Sequence, residues 1–302
     1  MPLIARVAAR SIERISPSFV RVEFAGPELV DFGVDGPTFD QRIKLILPPA
    51  SGVLPDLRGD SWWDDYRTMP EDERGSMRTY TIREVRGEGA EVGIVVDFVL
   101  HAGVHGPGSD WAADAGVGDE LLVVVPRRGE QFGGIEWAPG DASRLLLVGD
   151  ETAVPAVASI LGSLPAHAMG TALLEVPVAE DVQRLAAPAG VEVRWLPRDG
   201  AEVGTRAVAA VAQLLGYHAD RASDDEATAD VWETPTYSSS GEVVDAAPAQ
   251  RPEQQGPAGW YAWIAGESAV VTALRRQLVN EVKMPRRQVA FMGYWRRGVA
   301  MA

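Results

Sequence analysis

The chain has 302 residues, no cysteine, 28 basic and 43 acidic residues, and a formal net charge of −15. That length suits one large domain or two ordinary ones. The charge argues against a nucleic-acid protein, whose footprint is a basic face, and the missing cysteine removes disulfides, thiol catalysis and Cys-ligated metal clusters.

No apolar run reaches membrane-spanning length. The N-terminus MPLIARVAARSIERI lacks an apolar signal core, so no signal peptide is expected. A cytoplasmic, monomeric protein is the expectation.

Residues 1 to about 135 read as short alternating strands divided by Gly, Pro and Asp turns. The predicted strands are Leu3–Ile12, Phe19–Phe24, Arg42–Leu47, Arg78–Val85, Glu91–Leu100 and Glu120–Val125. Six such strands imply a closed antiparallel barrel. Residues 48–76, rich in Pro, Gly, Asp and Trp, are too long for a turn and suggest a lid or a short irregular helix. Trp62 and Trp63 there either line a cleft or anchor the loop.

From about residue 143 the pattern alternates strand and helix. Leu145–Val148 is a buried parallel strand. A helix over Ala153–Leu164 follows, with Thr152 as the expected N-cap and Pro155 in its first turn. Next come strand Ala172–Val176, a helix near Ala179–Leu185, strand Val191–Leu196, helix Ala207–Leu215, strand Tyr261–Ala265, helix Ala269–Val282 and strand Gln288–Met292. Five strands with intervening helices give a doubly wound parallel sheet. The domains are therefore 1–135 and 143–302. An acidic, aperiodic insertion at about 218–258 interrupts the second and reads as disordered or loosely docked.

The residues that carry chemistry begin at Arg78-Thr79-Tyr80-Thr81. Alternation places Arg78 and Tyr80 on one face with Ile82, and Thr79, Thr81 and Arg83 on the other. A guanidinium can fork onto a pyrophosphate oxygen, and a phenol ring can lie against a flavin. His101 and His105 stand at a metal-ligand spacing, but glycines 103, 106 and 108 with Pro107 disfavour a helix, so no metal site is expected.

These segments, with Asp97-Phe98-Val99-Leu100-His101, Gly106-Pro107-Gly108-Ser109-Asp110-Trp111, Gly149-Asp150-Glu151-Thr152-Ala153-Val154-Pro155, Gly266-Glu267 and Trp295-Arg296-Arg297-Gly298, resemble the siderophore-interacting proteins. These are FAD-dependent ferric-siderophore reductases of the ferredoxin-reductase superfamily. The resemblance runs along most of the chain and lapses over 218–258. It implies an N-terminal FAD-binding barrel and a C-terminal NAD(P)H-binding domain that brings the nicotinamide to the flavin, its phosphates near a helix N-terminus.

Residue by residue, it gives the flavin and its phosphate arm to Arg78, Thr79, Tyr80, Thr81 and Arg83, then to Asp97, Phe98, Val99 and His101. Gly106, Pro107, Gly108 and Ser109 would wrap the pyrophosphate, with Trp111 packed nearby. The family usually carries a residue such as alanine at position 108, so glycine predicts a looser loop. Asp150, Glu151, Thr152, Ala153 and Pro155, with Gly266 and Glu267, open the helices of the second domain. The acids among them serve either as functional groups or as helix-dipole partners.

An acidic protein needs a local positive pocket for an anionic or polar ferric chelate. Lys44, Arg127 or Arg128, and Arg296 or Arg297 are the matching candidates. No protein acid, base or nucleophile is expected. Glu175, Glu180 and Asp181 can accept a ribose 2′-hydroxyl, whereas Arg194 and Arg198 can hold a 2′-phosphate. The donor is therefore NADH or NADPH, the acids favouring NADH. A general flavin or quinone reductase and a non-catalytic ferric-siderophore carrier stay open as alternatives.

Overall fold

The computed structural model describes residues 1–100, 106–217, 232–233 and 259–298. The chain divides into two compact units, one over Met1–Ile135 and one beginning at Glu136.

The first unit is a seven-stranded antiparallel sheet. Its strands are β1 (Leu3–Ser16), β2 (Phe19–Ala25), β3 (Arg42–Leu47), β4 (Ser76–Thr81), β5 (Glu84–Arg86), β6 (Gly93–Val99) and β7 (Glu120–Val125). They lie in the order β4-β3-β7-β1-β2-β6-β5. The segment Arg78–Val85, expected as one strand, is two. Up to Thr81 it pairs with β3. Ile82 still donates its N–H to Gln41, but Arg83 donates to Val95 on β6, and β5 continues along β6. The two ends of the sheet order are thus joined by a two-residue corner, which curls the sheet on itself. Alternate residues point inward, so Leu3, Ala5, Val7, Val22, Phe24, Ile43, Leu45, Ile94, Val96, Phe98, Leu121 and Val123 form one core.

Residues 48–76 carry α1 (Trp62–Thr68) and α2 (Glu71–Arg74). Leu54, Leu57 and Tyr66 pack with Trp62 onto Ile46, Leu122 and Val124, the outward positions of β3 and β7. The segment is a fixed cover over that face, with short helices as expected, and Trp62 is an anchor. Trp63 is 46% exposed. Helix α3 (Pro107–Asp114) follows β6.

The second unit is a six-stranded sheet in the order β10-β9-β8-β12-β13-β11. Its parallel strands are β8 (Arg144–Gly149), β9 (Gly170–Val176), β10 (Val191–Pro197), β12 (Trp260–Glu267) and β13 (Val289–Trp295). The two-residue β11 (Trp232–Glu233), inside the expected insertion, pairs antiparallel with β13. The helices are α4 (Val154–Ser163), α5 (Thr205–Leu215) and α6 (Ser268–Asn280). The strand order reverses between β8 and β12. Ala207, Val211, Val271, Leu274 and Leu278 of α5 and α6 pack on Leu146, Val148, Leu173 and Ile264 of the sheet.

Two local expectations change. Near Ala179–Leu185 there is only a 3-10 turn, Ala179–Asp181, because the buried Asp181 carboxylate accepts the Val178 N–H and the chain turns extended at Val182. Thr152 does not cap α4. A 3-10 turn, Glu151–Ala153, precedes that helix, and the Asp150 carboxylate accepts both the Thr152 N–H and its hydroxyl.

Candidate functional site

In the first unit the site is built on the β3–β4 ladder. Tyr80 stands opposite Ile43 and Arg78 opposite Leu45, so both point to the core side. Thr79 stands opposite Lys44, and Thr81 opposite Arg42. Lys44 Nζ donates to Thr79 Oγ1 at 2.7 Å. Partial desolvation, and then the Arg42 charge, hold the Lys44 ammonium below its ordinary pKa, although its side chain reaches solvent. Arg78 donates to the Met77 carbonyl at 2.7 Å. Among the described residues no carboxylate pairs with it.

The Tyr80 ring lies 4.5 Å from Phe98 between centroids, and Phe98 lies 5.4 Å from Trp111. Burial pushes the phenol pKa up, so Tyr80 stays a neutral hydroxyl. Helix α3 begins beside it. Pro107 occupies its first turn, and no side chain caps it. The Ser109 hydroxyl turns back to the Gly106 carbonyl at 3.0 Å. A Cβ on Gly108 would overlap the Tyr80 hydroxyl, so this glycine permits a close approach where the sequence suggested a looser loop. A cation without a carboxylate partner, a flat aromatic and an uncapped helix N-terminus therefore share one patch. That donor set fits the ring and diphosphate of FAD.

Other expected cofactor residues are occupied internally. The buried Asp97 carboxylate accepts Nε and Nη2 of Arg21 at 2.7 and 2.8 Å, and Arg83 Nε stands 3.8 Å away. Asp97 and Arg83 thus brace β2, β6 and the corner after β4. His101 and His105 lie outside the described residues. Val99 ends β6, half-buried. Arg128 donates to the carbonyls of Val30 and Phe32 at 3.4 and 3.2 Å, and Arg127 pairs with Asp31 at 3.5 Å. Both arginines pin the turn before β3.

In the second unit Asp150 closes β8. One oxygen takes the Thr152 N–H at 2.9 Å, and the other takes the Glu267 N–H and Trp295 Nε1, each at 2.7 Å. It therefore ties together the ends of three parallel strands. Burial, and then the neighbouring Glu151 charge, push its carboxyl up to about 7. Gly266, at φ +143°, is required there, since a Cβ would stand 2.5 Å from Asp150 Oδ2. Glu151, also buried, is forked by Arg198 at 2.6 and 2.8 Å. Glu267 caps α6 through the N–H groups of Ala269 and Val270, and its other oxygen meets the Arg297 N–H at 3.3 Å. Ala153 and Pro155 are packed in the core of the α4 entry. Arg297 pairs loosely with Glu202 at 3.5 Å, both exposed, and Arg296 is half-buried.

The residues offered for donor discrimination are mostly structural. Glu175 is 1% exposed and caps α5 by accepting the N–H groups of Gly204, Arg206 and Ala207. Asp181 closes its own turn, Arg194 pairs with Glu192, and Arg198 with Glu151. The Glu151–Arg198 and Asp150–Trp295 links escaped the sequence, which has no local signal for partners so far apart. The Lys44–Thr79 link was hidden for a related reason: both strands were predicted, but not their register.

A curled antiparallel sheet followed by a doubly wound parallel sheet is the architecture of the flavin reductases of ferredoxin-reductase type. Phthalate dioxygenase reductase shares it at a TM-score of 0.54 over 99% of this chain and 70% of that one, with 13% identity. Two family profiles narrow the class: "Siderophore-interacting FAD-binding domain" matches residues 8–131, and "Siderophore-interacting protein" matches 142–298. The chain belongs to the siderophore-interacting proteins. It is 29% identical to ferric vibriobactin reductase ViuB of Vibrio cholerae, over 94% of this chain and 86% of that protein. It is 30% identical to the NADPH-dependent ferric-chelate reductase of Escherichia coli, over 94% and 89%. A siderophore utilization protein from T. fusca aligns in structure at a TM-score of 0.68 with 28% identity, covering 99% of this chain and 95% of that one.

Proposed function

We propose that this chain is an FAD-containing, NAD(P)H-dependent ferric-siderophore reductase. The observation that carries the reading is the patch in the first unit where Arg78, Tyr80 and the uncapped start of α3 meet, within a chain of this family. FAD, when bound, supplies the coupling of a two-electron donor to a one-electron acceptor. Arg78 and the N–H groups opening α3 neutralise its diphosphate. Tyr80, backed by Phe98 and Trp111, gives the ring a flat apolar neighbour.

The substrate is Fe(III) in a chelate of hard oxygen donors, a set that suits Fe(III) better than Fe(II), so reduction releases the metal. Lys44, Arg296 and Arg297 are the positive groups offered as candidates for that chelate. Arg128 contributes charge while its guanidinium stays on backbone carbonyls. No side chain need move a proton to the iron. The reading extends to a cytosolic monomer, in keeping with the absence of cysteine and the absence, among the described residues, of any helix long and apolar enough to cross a membrane.

The test is anaerobic mixing of the FAD-loaded protein with NADH or NADPH, followed by ferric chelates in the presence of a ferrous trap. Bleaching of the flavin and then trapped Fe(II) are expected. Turnover of free flavins or quinones with none of ferric chelates would replace this reading by a general flavin reductase. A protein that takes up no FAD would end it.

A further inference from the structure

In a doubly wound sheet the diphosphate of a dinucleotide lies where the strand order reverses, against the N–H groups opening the helix after the first strand. Here the reversal falls between β8 and β12. The chain's own carboxylates crowd the helix entries around it. In the turn leading into α4, Asp150 accepts from Thr152 and Glu151 is buried beside it, while α4 itself has no side-chain cap. Glu175 takes three N–H groups at the start of α5, at 2.7, 3.0 and 2.8 Å. Glu267 takes two at the start of α6, at 2.7 and 3.1 Å.

We propose that the second unit recognises the nicotinamide–ribose half of its electron donor and leaves the diphosphate and adenosine half unheld. The four acids are specificity residues in this sense: they exclude an anion from the place where the fold would otherwise bind one. Their exposures, 6% for Asp150, 2% for Glu151, 1% for Glu175 and 6% for Glu267, show that none can swing away into solvent without unpacking its strand end. An entering diphosphate would have to displace a buried carboxylate and sit beside the others. Repulsion of that kind in a desolvated crevice is strong. Arg198, the counter-ion at this spot, is forked onto Glu151 and stands 3.5 Å from Glu175, so it has no charge to spare. The space beside Asp150, Glu175 and Glu267 is about 10 Å³, barely room for one water and far below ordinary ligand pockets.

The inference rests on the reductase reading, and the test separates the two. The FAD-loaded protein is mixed anaerobically with NADH, with NADPH and with reduced nicotinamide mononucleotide, which lacks the second phosphate and the adenosine. Rates of flavin bleaching per unit concentration should agree within about tenfold, a difference of about 1.4 kcal/mol. ADP, the half predicted to be unheld, should not slow the reaction with NADH at roughly 1 mM, and calorimetry should show binding no tighter than that. A mononucleotide more than about tenfold slower, or micromolar binding of ADP, would overturn the proposal. If no nucleotide bleaches the flavin, the donor reading fails by itself. The calorimetric arm still decides the present one, since ADP either binds or does not.

Discussion

Replacing Arg198 with methionine keeps most of the buried stem and deletes the charge. The guanidinium gives Nη1 and Nη2 to the two oxygens of Glu151 at 2.6 and 2.8 Å, with Glu175 Oε1 3.5 Å from Nη1. Glu151 is 2% exposed, so water cannot take over the hydrogen bonds. Removing one partner of a buried pair costs about 3–5 kcal/mol, against about 0–1 kcal/mol for an exposed pair. The desolvated Asp150 carboxyl next door places Arg198→Met toward the upper part of that range. At about 2–4 °C per kcal/mol for a unit of this size, the second unit should melt roughly 6–20 °C lower. The assay is urea and thermal unfolding of the FAD-loaded protein, followed by tryptophan fluorescence. The double variant Arg198→Met/Glu151→Leu should recover most of the loss, because no buried charge is then left without a partner. Flavin content should not change, since Arg198 belongs to the second unit. A single variant within about 1 kcal/mol of wild type, or a double variant no better than the single, would refute the reasoning.

Arg78→Ala should fold normally, since its one side-chain bond among the described residues is to the Met77 carbonyl, but elute colourless from gel filtration; a yellow eluate would remove Arg78 from the flavin site. Asp150→Asn should change the pH dependence of stability. The Asp150 carboxyl is raised from 3.8 to about 7, so the folded protein holds this proton longer than the unfolded chain. Its contribution is therefore full at low pH, declines between about pH 4 and pH 7, and is flat above. The unfolding free energy of wild type minus variant should follow that fall, and a difference independent of pH would contradict it. Gly108→Ala should cost about 1–3 kcal/mol by overpacking against the Tyr80 hydroxyl. Adding Tyr80→Phe, which removes the clashing atom, should restore most of it in urea unfolding; equal loss with and without the hydroxyl would show that Tyr80 is not the obstacle.

Local pattern carried a large part of this protein. Alternation located β1, β2, β3, β6 and β7 and put Arg78 and Tyr80 on one face, because side-chain direction in a strand depends only on position along it. Helical spacing and short apolar runs located α4, α5, α6 and the parallel strands, because a buried stripe must recur with the period of its element. The order of short motifs was enough to indicate the family.

Pairing across distance was decided only by the folded chain. Arg78–Val85 reads as one strand because nothing in it shows that Arg83 must bond Val95 instead of continuing along β3. Asp150 and Trp295 are 145 positions apart, and Glu151 and Arg198 are 47 apart. A carboxylate's role depends on which N–H groups and cations the topology brings to it and on how far it is removed from water. Residue type and neighbours in sequence specify neither, so the same acids read equally well as donor ligands and as caps until the strand ends were seen to converge.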